Sequence, residues 1–143
     1  EGWGLIDYSS IQPSVVLSSE SSDVAQGKYS LRLRLLQDDV LVSLCSQAFD
    51  VKQGEIVQAS CLLKTKDVLP YSVRICFLRN DNPIYYSATT DMRAMPNGWN
   101  KLTSRVLVPR NATKASFMIN IWGNSLPEGA SMLVDYVRII KKL

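Results

Sequence analysis

Apolar and polar residues alternate at period two along almost the whole chain, and no segment sustains the 3.6-residue repeat of a helix. From Tyr29 onward, Tyr29, Leu31, Leu33 and Leu35 share one face, while Ser30, Arg32 and Arg34 share the other. Val40 to Val51 reads as a further strand, closed by the turn signal Lys52-Gln53-Gly54. Glu55 to Thr65 follows, with Val57, Ala59, Cys61 and Leu63 as its core face. Tyr71 to Arg79 turns Val73, Ile75 and Phe77 inward and Ser72, Arg74 and Cys76 outward. Asn80-Asp81-Asn82-Pro83 predicts a tight turn, and Ile84 to Thr90 a short strand carrying Tyr85 and Tyr86. Met95-Pro96-Asn97-Gly98 breaks the chain, after which Trp99–Val108, Lys114–Trp122 and Ser131–Lys141 complete the strands. Ser18 to Gln26, rich in serine and acids, reads as a loop.

Nine or ten strands at regular spacing predict an all-β fold, a two-sheet β-sandwich with jelly-roll topology. With no linker-like stretch inside, residues 1–143 read as a single domain, long enough to bury a real core.

Composition narrows the function more than the fold. Hydrophobic residues make up 46% and charged residues 20%, and no apolar run is long enough to span a bilayer, so membrane insertion is not expected. The net charge of +3 is spread along the chain, with only Lys141-Lys142 adjacent, so nucleic acid is not an expected partner. The chain has no histidine, which removes the commonest general base and metal ligand and weighs against an enzyme. It opens on Glu1-Gly2-Trp3 with neither initiator Met nor signal segment, the expected appearance of a domain cut from a longer protein. Cys45, Cys61 and Cys76 form no CxxC motif; buried free thiols are expected. A Cys45–Cys61 disulfide is the alternative if their strands pair as a hairpin over Gly54.

Four segments in order carry a resemblance: GKYSLRLRL (Gly27–Leu35), FDVKQGEIVQASCLLKT (Phe49–Thr65), GWNKLTSRVLVP (Gly98–Pro109) and SMLVDYVRII (Ser131–Ile140). Together they resemble the carbohydrate-binding modules of the family 4/9/16/22 group, jelly rolls of the galactose-binding-like type usually appended to secreted glycan-degrading enzymes. The resemblance implies a non-catalytic module that tethers a larger secreted or surface protein to a polysaccharide or glycan. The other partners would be further domains of the same polypeptide, and the location extracellular or on the cell surface. A protein-interaction or assembly domain of a phage tail or cell-surface protein is the alternative. The resemblance further implies a structural calcium ion. Asp135 matches the acid of the closing strand, Glu1 stands where the family has a Glu before Gly and Trp, and the carbonyls near Gly27 and Lys28 would add oxygens. Tyr136 replaces the family's second acid. Without an ion, Asp135 caps backbone amides or pairs with a cation, since a buried carboxylate needs compensation.

A sugar-binding face needs aromatic rings for C–H groups and polar side chains for hydroxyls. The outward alternation places Gln58, Arg74, Asn120 and Trp122 as residues able to meet on one sheet face. Arg74 adds a planar cation suited to carboxylates or sulfates, or else a surface salt bridge. Trp122 either contacts ligand or covers the edge of the core. Tyr85 and Tyr86 are adjacent, so only one of them points to that face and the other packs inward. Trp99 is read as packing. Asn111-Ala112-Thr113 matches the glycosylation sequon and is read as a chance match.

Overall fold

The computed structural model describes residues 3–7, 15–36, 40–65, 70–87, 90–93, 98–123 and 129–143. The strands are β1 (Trp3–Asp7), β2 (Val15–Glu20), β3 (Ser30–Leu35), β4 (Val40–Ser46), β5 (Phe49–Asp50) and β6 (Ile56–Thr65). They continue as β7 (Pro70–Arg79), β8 (Asn82–Tyr86), β9 (Thr90–Arg93), β10 (Asn100–Leu107), β11 (Lys114–Gly123) and β12 (Ser131–Lys142). The first sheet runs β1-β4-β11-β7-β8, with β5 paired to β11 and β9 to β7; the second runs β10-β6-β12-β3-β2. Every pairing among the described residues is antiparallel.

From β3 onward the chain changes sheet at nearly every long connection: β3, β6, β10 and β12 lie in the second sheet, β4, β7 and β11 in the first. This is the two-sheet jelly-roll sandwich that the alternation predicts. The inward set is also the predicted one. Val57, Ala59, Cys61 and Leu63 meet Val73, Ile75, Phe77, Ala115, Phe117, Ile119 and Ile121 across the interior, joined by Leu33, Leu35, Met132 and Val134. Tyr29 is the exception; it precedes the first residue of β3 and is exposed. The β7–β8 hairpin turns on Asn80 and Asp81, both left-handed at φ 51° and 64°. That geometry matches the right-handed twist of the flanking strands, and Asn and Asp tolerate it better than most residues.

Two expectations are corrected. Ser18 to Glu20 is not loop but the end of edge strand β2, paired with β3 from Val15↔Leu35 to Glu20↔Ser30. The segments around Cys45 and Cys61 form no hairpin: β4 and β6 belong to different sheets, Cys61 faces the core, and all three cysteines are free. A disulfide needs Cα atoms within about 7 Å, which strands in opposing sheets with these facings do not offer.

Phe117 is fully buried, so Phe117→Ala is expected to cost roughly 3–5 kcal/mol in chemical denaturation. Reductant should leave the melting temperature unchanged. Burial pushes the Cys61 thiol up from 9.0 to about 12. The unfolded chain therefore ionises this thiol first. Its contribution to stability is complete below pH 9.0 and is lost as pH climbs towards about 12. Urea titrations across that range should show a decline that is shallower in Cys61→Ala.

Candidate functional site

The outward residues of β4, β11 and β7 form the middle of the first sheet's outer face. Register sets Ser43, Asn120 and Ser72 in one row and Cys45, Met118 and Arg74 in the next. Ser116, Cys76 and Tyr86 make a third row. The Ser43 hydroxyl donates to Asn120 Oδ1 at 2.6 Å, and Asn120 Nδ2 donates to the Ser72 hydroxyl at 3.3 Å. The amide is therefore fixed in orientation by two strands that flank its own. The Ser116 hydroxyl donates to the Ser46 carbonyl at 2.7 Å. Ser43, Ser72, Cys76, Ser116, Met118 and Asn120 are all buried, although they face away from the core.

Access to this face is at Arg74 and Tyr86. The Arg74 guanidinium carbon lies 4.5 Å from the centre of the Tyr86 ring, and Tyr86 as a residue is 43% exposed. Such stacking holds the guanidinium plane in place. Arg74 Nε is buried and has no hydrogen-bond partner. Burial pushes the Cys76 thiol up, while a hydrogen bond with Tyr86 and the charge of Arg74 act in the opposite direction.

The structure brings Arg74, Asn120 and Tyr86 together. Tyr85 sits on the opposite parity but does not pack inward as expected: it pairs with Phe77, the two rings 6.1 Å apart, and on strand β8 it stays 46% exposed. Trp122 pairs with Leu41 in the row beyond Asn120, and its side chain lies outside the described residues. Gln58 does not join them. It lies on β6, opposite Arg105 and Ile140, in the second sheet, so the sandwich separates it from Arg74. Trp99, read as packing, is half-buried beside Lys64, whose ammonium is 5.9 Å from the ring centre.

Asp135 is buried on the outer side of the second sheet, and both its oxygens accept backbone amides. Oδ2 takes the N–H groups of Ala25 and Gln26 at 2.7 and 2.9 Å, and Oδ1 takes that of Tyr136 at 2.6 Å. Three amide dipoles compensate the charge and tie the segment before Gly27 to the closing strand. Glu1 lies outside the described residues, and the side chain of Lys28 is exposed. Among the described residues no group of three or more acidic or cysteine side chains is arranged to hold a metal ion.

The whole fold is similar to carbohydrate-binding modules of known structure. TmCBM61, solved in complex with β-1,4-galactotriose, is 12% identical, with a TM-score of 0.67 over 98% of this chain and 88% of that one. The CBM22-1 xylan-binding domain of a Paenibacillus barcinonensis protein is 17% identical, with a TM-score of 0.62 over 98% of this chain and 85% of that one. The enzymatically active domain of a bacteriophage CBA120 tailspike protein is 16% identical, with a TM-score of 0.76. That match covers 99% of this chain, which spans 19% of the tailspike chain. No family model and no curated protein matches the sequence. Identities this low establish a shared fold; function is a property of the site.

Asp135→Ala leaves three amides without their acceptor and is expected to cost roughly 3 kcal/mol, read by urea unfolding. Since amides already compensate Asp135, adding EDTA or calcium is expected to leave the melting temperature unchanged; with a bound structural ion, calcium would raise it and EDTA would lower it.

Proposed function

We propose that the chain is a non-catalytic carbohydrate-binding domain whose ligand lies on the outer face of the first sheet. The observation that carries this reading is the Arg74–Tyr86 stack beside an amide fixed by Ser43 and Ser72. With the guanidinium over one face, the exposed ring retains apolar surface for the C–H groups of a sugar. Arg74 offers N–H donors to hydroxyl or acidic oxygens. Because the stack and the serine-held amide are ordered before ligand arrives, little side-chain freedom is lost on binding. The lack of histidine in the chain supports a binding role over catalysis. Two structural neighbours, one in complex with β-1,4-galactotriose and one a xylan-binding domain, support a glycan as ligand. In this reading the domain belongs to a longer secreted or surface protein, and a weak contact is amplified by tethering its neighbours to a polysaccharide.

The tailspike match favours a second reading, an assembly domain within a larger spike. A glycan panel that includes β-1,4-galactotriose and xylan oligosaccharides separates the two. Binding is expected, and Tyr86→Ala and Arg74→Ala should each weaken it by at least about tenfold with the melting temperature retained. No binding to any glycan, together with self-association of the chain, would support the assembly reading instead.

A further inference from the structure

The outer face of the second sheet carries a cleft of about 240 Å³ lined by Ser22, Asp23, Arg32, Lys64, Thr65, Ser131 and Leu133. Register explains the floor: Lys64, Leu133 and Arg32 are consecutive neighbours across β6, β12 and β3. Leu133 is buried although it faces outward. Trp99 extends the row beyond Lys64, because Asn100 pairs with Leu63. The segment after β2 forms the opposite wall.

Both cations of the cleft are already paired. Arg32 Nη2 meets Glu20 Oε2, and Lys64 Nζ lies 2.7 Å from Asp23 Oδ2. Glu20 is held in turn: its Oε1 accepts the Ser22 hydroxyl at 2.6 Å and the amides of Ser22 and Ser21 at 2.8 and 2.9 Å. These bonds, with Arg32, lower its carboxyl to about 2, so the pairing persists across ordinary pH. An incoming anion would have to displace a carboxylate, and an incoming cation would have to displace an ammonium or guanidinium. A hydroxyl both donates and accepts, so a neutral polyol can join either pair without separating it. Arg32 Nε is buried without a hydrogen-bond partner, a donor not yet used. Leu133 supplies apolar surface within the cleft, and the Trp99 ring lies on the far side of Lys64, 5.9 Å from its ammonium. The volume is below the several hundred Å³ of a drug-sized pocket and suits one ring rather than a chain.

We propose that this cleft is a second ligand site, for a single neutral saccharide unit, on the opposite side of the sandwich from the first sheet's face. It does not depend on the Arg74–Tyr86 reading. The test is an amide-resolved NMR titration of the whole chain with the methyl glycosides of glucose, galactose, xylose and arabinose, and with glucuronate as the charged probe. Saturable shifts are expected at the amides of Arg32, Lys64 and Leu133 and at the Trp99 indole N–H, with a dissociation constant on the order of millimolar. Ser131→Phe, which fills the cleft, and Asp23→Ala should each weaken that response by about tenfold, and either variant suffices if the other fails to fold. No saturable shift from any neutral glycoside overturns the proposal. Shifts confined to Tyr86 and its neighbours overturn it and leave the first-sheet reading standing. Shifts confined to the cleft do the reverse. A stronger response to glucuronate overturns the neutral assignment.

Discussion

The structure depends on one constraint of chain path: successive long strands from β3 onward cross between two sheets while each keeps one face inward. Apolar burial supplies the driving force, and the crossing decides which residues become neighbours. Ser43, Ser72 and Asn120 are far apart in sequence, yet meet because β4 and β7 flank β11. Residues close in sequence are divided by the same rule. Gln58 and Arg74 sit on consecutive long strands and end on opposite sides of the sandwich.

The same distinction explains what the sequence reveals. Alternation fixes the parity of each strand, so the inward residues of β6, β7 and β11 were legible, as was the divergence of Tyr85 from Tyr86. Alternation says nothing about which sheet receives a strand. That gap accounts for both Gln58 and the Cys45–Cys61 alternative. Edge strand β2 was hidden for another reason: Val16, Ser18 and Ser19 are exposed, so the strand is held by backbone pairing with β3 rather than by a clear apolar face. The neighbour of Trp99, Lys64, follows from register across β10 and β6, which local sequence does not specify.

Three carboxylates organise the outer side of the second sheet. Asp135 gathers the amides of Ala25 and Gln26, Asp23 holds Lys64, and Glu20 holds Arg32. Each joins the segment between β2 and β3 to its own strand or to strands beneath it. The cleft exists because this segment is drawn over the sheet with its charges balanced pair by pair. The first sheet's outer face works differently: neutral hydroxyls and an amide order one another, and Arg74 is steadied by an aromatic ring.

Tyr136 occupies the irregularity in β12, at φ 47°, where the register slips between Asp135 and Arg138. It is the one extra residue of a bulge. Met132 and Val134 face inward before it, and Val137 and Ile139 pack on the core after it. The interruption therefore absorbs a three-residue spacing that plain alternation would not allow. Removing this residue would keep every inward side chain inward and would cost only the bend and the amide held by Asp135. Removing one residue from the regular part of the strand would turn its following neighbours inside out. Tyr136 is thus the point at which the length of the closing strand can vary without rewriting the interior.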